Sequence, residues 1–87
     1  GFVMVVVNVD GGGHVLTEPE IVTRGFVYLR EADELIEQIR ETVIDVMSGS
    51  REMKNGKRRE RLEASLSRLF FNETRRRPMV FSVINER

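Results

Sequence analysis

His14 is the only imidazole in the chain, and there is no cysteine to stand beside it. A serine or cysteine nucleophile activated by an imidazole needs a second histidine or a thiol, so neither arrangement can be assembled here. Metal binding fares no better, because a lone histidine in a glycine-rich turn is a solvent-exposed turn residue far more often than a ligand. The carboxylates Glu34, Glu37 and Glu41 have the reach for general acid–base work in principle. Their spacing is that of the solvated face of one helix. Gly11-Gly12-Gly13 has the flexibility of a phosphate cradle, yet it lacks the Lys-Ser/Thr that follows one and leads into strand-like sequence instead of a helix N-terminus. These residues make a turn, and they predict a fragment with no catalytic site and no metal site of its own.

Two arginine-bearing motifs could instead bind. Arg24-Gly25-Phe26-Val27-Tyr28 resembles in part the ribonucleoprotein signature of the RNA-recognition motif, where aromatics on a strand stack on bases. The likeness stops at Val27-Tyr28-Leu29, and the order of elements is wrong for that fold. The structural alternative packs Phe26 and Tyr28 on a sheet with Arg24 at its edge. Arg75-Arg76-Arg77-Pro78 also has two readings. Cations at a helix C-terminus favour the negative dipole end and its orphan carbonyls. They could equally pair with RNA phosphates or with a carboxylate of a neighbouring domain.

The elements that must carry these residues follow from periodicity. Phe2–Val9 is β-branched almost throughout and reads as a strand, with Val3, Val5, Val7 and Val9 on one face and Phe2, Met4, Val6 and Asn8 on the other. Asp10 to Gly13 turns the chain into a return strand that begins at Val15, giving a hairpin with a loose tip. Pro19 marks a bend. Ile21 to Leu29 resumes strand character, and Gly25 within it suggests a bulge or a close backbone approach; one bent strand from Val15 and two short ones are both compatible. Asp33 to Met47 is the clearest helix, with Leu35, Ile36, Ile39, Val43, Val46 and Met47 on one stripe and Ser48-Gly49-Ser50 as its stop. Arg51 to Lys57 reads as a loop because Asn55-Gly56 is a turn signal. A second helix runs from Arg58 to about Glu73, with Leu62, Leu66, Leu69 and Phe70 on one side. Met79 to Ile84 is a last strand.

The order β-β(-β)-α-α-β predicts a two-layer α+β domain, a small, about three-stranded sheet covered by two α-helices. The first and last strands are apolar on both faces, whereas two helices on one side cover only one. The uncovered face would mark a partner site; the alternative is that the helices straddle the sheet and hide both.

Composition bounds the rest. Eighty-seven residues make a single domain, 1–87, and a chain this short buries only roughly 60% of its unfolded surface. With 40% hydrophobic and 32% charged residues the chain belongs with ordinary globular domains. No apolar run approaches the roughly 20 residues of a membrane span, the absence of cysteine fits a reducing compartment, and the start at Gly1 without an initiator Met suggests an excised domain. The net charge of +0 argues against bulk attraction to nucleic acid. It hides an asymmetry. Acids dominate from Glu31 to Asp45, opposed by Arg40 alone, and Lys and Arg dominate from Arg51 to Arg77, opposed by Glu52, Glu60, Glu63 and Glu73.

Taken in order, Ile21-Val22-Thr23-Arg24-Gly25-Phe26-Val27-Tyr28 and Thr74-Arg75-Arg76-Arg77-Pro78-Met79-Val80, with the valine-rich first strand and the acidic helix between, resemble the C-terminal domain of bacterial ribonuclease J. Thr23 stands where that family usually has serine and keeps the hydroxyl. The resemblance covers nearly the whole chain. It implies a parent of the metallo-β-lactamase and β-CASP type: a zinc-dependent hydrolase of bacterial RNA processing and decay, with 5′→3′ exonuclease and endonuclease activity. The zinc-binding H-x-H-x-D-H motif belongs to the parent's N-terminal domains and is absent here, so no catalytic residue carries over. For the family, the C-terminal domain is associated with oligomerisation and support of full activity.

The leading expectation is therefore a cytoplasmic, non-catalytic assembly domain that self-associates through its sheet or docks on the parent's catalytic domains. Val3, Val5, Val7, Phe81 and Val83 are the candidate contacts. A charge at Val5 should disperse a dimer if that side chain faces the partner, and unfold the chain if it faces the core. The alternative is an auxiliary RNA-binding module using Arg24, Arg58, Arg59, Arg75, Arg76 and Arg77.

Overall fold

The β-branched run at the start of the chain forms the middle of the sheet. A computed structural model describes residues 1–25 and 32–87. Its elements are β1 (Phe2–Val9), β2 (Glu20–Arg24), α1 (Ala32–Ser48), α2 (Asn55–Thr74) and β3 (Met79–Glu86). Strand order in the sheet is β2-β1-β3. β1 pairs antiparallel with β2, Phe2 opposite Arg24 and Val6 opposite Glu20. It pairs parallel with β3 over its whole length, from Phe2 opposite Met79 to Val9 opposite Glu86. The architecture is the expected two-layer α+β fold.

Alternation along β1 decides what is core. Val3, Val5, Val7 and Val9 are all 0% exposed, packed with Leu35, Ile39, Val43 and Met47 of α1 and Leu62, Leu66 and Phe70 of α2. Both helices thus supply one stripe each, at spacings of about four residues, to the same face of the sheet. A helix pair that straddled the sheet would have buried the even-numbered side of β1 as deeply. Instead Phe2, Met4 and Val6 are only half-buried.

Several boundaries differ from the sequence reading, each for a local reason. The return strand at Val15 shrinks to one bridge, Val9 to Val15, beside a Leu16 N–H to Asn8 carbonyl bond of 2.8 Å. Gly25 lies just past the end of β2, at φ +82°, where a Cβ would come within 3.3 Å of the Gly1 Cα. The suspected close approach is therefore to the first residue of the chain. Phe26, Val27, Tyr28 and Leu29, read as the continuation of this strand, lie outside the described residues, as does Glu31. Asn55-Gly56 is no turn: both residues sit in the first turn of α2, where backbone N–H groups have no intrahelical acceptor to lose and Gly56 has nothing within 4 Å of its missing Cβ. The turn is made earlier, by Ser50, whose hydroxyl donates to the Val46 carbonyl at 2.7 Å and whose own carbonyl accepts from Met53 N–H at 3.0 Å.

Arg58 is the main departure. Expected at a basic surface, it is 1% exposed. Its Nη2 donates to the Gly13 carbonyl at 2.8 Å and to the Met47 carbonyl at 3.0 Å, and its Nε reaches Ser50 Oγ at 3.3 Å. The guanidinium thus satisfies an orphan carbonyl at the C-terminal end of α1, where the helix dipole favours a cation, and ties the glycine-rich turn to the start of α2. Burial, and then the nearby charge of Arg51, lower its pKa from the ordinary arginine value. Replacing Arg58 by Ala strips the Gly13 carbonyl of its donor and leaves the Met47 carbonyl with only the long Ser50 N–H bond of 3.4 Å, and urea denaturation should show a loss of about 2 kcal/mol. Arg58→Lys should restore only part of it, because an ammonium cannot match the planar fork.

Candidate functional site

With the helices on one side, the opposite face of the sheet is open. Register and pleat put Phe2, Met4 and Val6 of β1, Val22 and Arg24 of β2, and Met79, Phe81 and Val83 of β3 on that face. Met79 is 63% exposed, Phe81 44% and Val83 39%. The Phe2 and Phe81 rings meet edge to face, with centroids 6.2 Å apart. One end of the face is closed by polar groups: Asn8 Nδ2 donates to Thr17 Oγ1 at 3.2 Å, and Asn85 Nδ2 donates to Asn8 Oδ1 at 3.3 Å. Arg24, opposite Phe2, flanks the other end and donates to its neighbour's carbonyl, Thr23 O, at 2.9 Å. Half-buried and exposed apolar side chains side by side, with polar groups at the margin, have the character of a binding face.

This placement corrects the candidate contacts. Val3, Val5 and Val7 point into the core and cannot meet a partner, because in a strand of period two they share the side that the helices cover. Phe81 and Val83 are on the open face. The residues missed were Phe2, Met4 and Met79. They alternate with, or pair beside, residues already singled out, and the signal lay in assigning the helices to one side. A charge at Val5 is now expected to unfold the chain.

The lower edge of the sheet is protected by a side chain. β3 has no strand beyond it, and Glu63 of α2 accepts from the Ser82 N–H at 3.0 Å and the Ser82 hydroxyl at 2.6 Å. A carboxylate on the edge blocks further strand addition there. The open apolar face is therefore a better candidate surface than the β3 edge.

The remaining candidate residues are scattered. Arg59 faces Glu63 at 3.9 Å. Arg75 takes the left-handed C-cap of α2 at φ 60°, its N–H donating to the Phe71 carbonyl at 2.8 Å. The Arg75 and Arg77 guanidinium carbons stand 5.4 and 4.6 Å from the Phe71 ring centroid. Arg76 is exposed, its N–H bonded to Thr74 Oγ1 at 3.1 Å. Arg75 thus caps through its backbone, while its side chain and that of Arg77 lie over the Phe71 ring. Glu34, Glu37 and Glu41 are exposed along α1, and Glu37 pairs with Arg40 at 2.9 Å.

The glycine-rich turn is organised by its acid. Asp10 Oδ1 accepts from the N–H groups of Gly12 and His14, each at 2.9 Å, and the His14 ring lies between Asp10 and Arg51. The His14 backbone bond, foremost, holds the Asp10 carboxyl below its ordinary pKa. Stability from this carboxylate is complete above the ordinary aspartate range and disappears as pH falls through the lowered value. The stability gap between the native chain and Asp10→Asn should therefore be flat above about pH 5 and close below about pH 4 in urea titrations. Gly13, at φ +83°, has the Arg51 carbonyl 3.0 Å and Arg58 Nη1 3.1 Å from where a Cβ would sit. Gly13→Ala should cost about 1–2 kcal/mol from the backbone conformation alone, with more from displacing Arg58, read as a lower melting temperature.

Among the described residues, no three His, Cys, Asp or Glu side chains gather where they could hold a metal ion, and no helix is long and apolar enough to cross a membrane. An α+β domain with one open apolar face is the class this geometry defines. The family model of the Ribonuclease J C-terminal domain matches residues 1–87. The chain is 33% identical over 90 residues to Ribonuclease J2 of Bacillus subtilis and 32% identical over 90 residues to Ribonuclease J 2 of Staphylococcus aureus. Each alignment covers 99% of this chain and 16% of the relative, so the chain spans only a small part of the length of those proteins. It belongs to the family of ribonuclease J C-terminal domains.

Proposed function

We propose that this chain is the non-catalytic assembly domain of a cytoplasmic bacterial ribonuclease that cleaves RNA as a 5′→3′ exonuclease and as an endonuclease, and that it self-associates through the open face of its sheet. The observation that carries this reading is the apolar surface of Phe2, Met4, Met79, Phe81 and Val83, built on the side the helices leave bare. The formal net charge of +0 leaves two copies without long-range repulsion. Membership of the ribonuclease J family supports the parent's identity.

The donor set of this chain does not fit the zinc of such a parent. One histidine and no cysteine, and among the described residues no cluster of three possible ligands, leave that ion to residues outside these 87, and no step of the chemistry passes through this domain. Its contribution is positional, holding catalytic units together.

Light scattering over a concentration series tests the assembly. A mass approaching twice the 10.1 kDa chain is expected. Phe81→Glu should weaken association by about 30-fold or more, as for an aromatic at the centre of an interface, with helicity unchanged because Phe81 is outside the core. A native chain that stays at 10.1 kDa throughout would overturn self-association and leave docking on the parent's catalytic domains.

A further inference from the structure

The outer side of α2 carries a row of cations that neither the core nor the sheet face uses. Lys57, Arg61 and Arg68 are exposed. At 3.6 residues per turn they fall within an arc of about 40°, and that arc is centred roughly 140° from the buried stripe of Arg58, Leu62, Leu66 and Phe70. With Met53, Lys54 and Ala64 they line one shallow cleft. A single carboxylate, Glu60, shares it, reaching Lys57 at 3.5 Å, and both partners are more than 70% exposed, so the pair neutralises little. Arg61 has no ion pair among the described residues. The other acids of α2 are turned elsewhere: Glu63 is held by Ser82, and Glu73 accepts from Gln38 of α1 at 3.3 Å.

Arg68 belongs to a second hollow as well. Ser67, Arg68, Phe71, Asn72, Arg77 and Pro78 line a notch of about 320 Å³ at the C-terminal end of the row. The Phe71 ring is half-buried there, with the Arg77 guanidinium over it at 4.6 Å. A planar aromatic, a planar cation and a proline ring around one opening form a stacking surface. From Lys57 to Phe71 the row and notch extend about 21 Å along the helix.

We infer that this face of α2 binds single-stranded RNA, with the backbone phosphates along Lys57, Arg61 and Arg68 and one base stacked in the notch of Phe71 and Arg77. Cations in a line fit any polyanion. The stacking notch continuous with them through Arg68 favours a polynucleotide, because a base has an extended aromatic face to stack there and a chain of carboxylates has none. The choice of RNA rests on the activity proposed for the parent, while the site rests on this geometry. The site also differs from the arginines singled out by sequence. Arg58 is buried and Arg59 turns to Glu63, so neither joins it. The acidic exposed side of α1 leaves the domain with opposite fields on its two helices, which orients a strand on α2 alone.

Fluorescence anisotropy of the 87-residue chain with a labelled 12-nucleotide oligouridine tests this. Three phosphate contacts predict that affinity falls about 20-fold between 50 and 200 mM salt. In the triple variant Lys57→Ala, Arg61→Ala, Arg68→Ala this salt dependence should all but disappear. These side chains point to water, so the melting temperature should hold. Phe71→Leu should weaken binding about fivefold or more and Phe71→Tyr should not. Should Phe71→Leu fail to fold, an abasic 12-mer on the native chain gives the same comparison without a variant. No binding at 50 mM salt overturns the proposal. So does equal binding of a polyglutamate of the same charge, equal binding of the abasic strand, or a triple variant that changes the mass of the chain in solution instead of its affinity for RNA. Mass and anisotropy are independent readouts: a monomer that binds oligouridine overturns self-association only, and a dimer that ignores it overturns this site only.

Discussion

The buried guanidinium of Arg58 is the constraint on which the rest of this domain depends. A charge taken out of water is tolerated only with its donors engaged, and here they are engaged by neutral oxygens, two of them backbone carbonyls from separate parts of the chain. That requirement fixes where α1 ends, where α2 begins and where the glycine-rich turn lies. Once these are set, the two helices can cover only one side of β1. The bare side follows from the same geometry. The open apolar face is what is left when two helices, tied at one point, have covered all they can reach.

Much of this was legible in the residues. Alternation along Phe2–Val9 marks the central strand, and the spacing of Leu35, Ile39, Val43 and Met47 marks α1, because both depend on a period short enough to be seen locally. The open face was legible as a surplus of apolar side chains over helix area. Which side was open was not, since it depends on where two helices land after a crossover from β2 to β3. Arg58 shows a different limit. It continues the Leu62, Leu66, Phe70 stripe one turn toward the N-terminus, so its position points to the core while its charge points to water. Position prevailed because carbonyl acceptors at the end of α1 and in the glycine-rich turn lie within its reach. Nothing near Arg58 in sequence announces Gly13 and Met47 as its partners.

The basic row on α2 illustrates the same division between local and long-range information. A run of arginines and lysines reads as one patch when written in a line. On the helix it separates into a buried member, one that faces Glu63, and an outward row meeting Phe71. Charge counted along the chain therefore overstates some residues and passes over others, such as Lys57 and Arg61, that earn notice only from their shared face.

The parallel pairing of β1 with β3 has a kinetic meaning. Asn8 and Asn85 bond across a separation of 77 residues, and the whole of β1 awaits a neighbour that is the last element of the chain. Contact order is correspondingly high, and loop-closure entropy must be met before the central strand is flanked on both sides. Until then β1 presents one unpaired edge of nearly continuous valine, open to strand exchange with another nascent copy. Glu63, by holding Ser82 at the outer side of β3, shields only the finished sheet, so the interval before β3 docks is the period of greatest risk of misassembly.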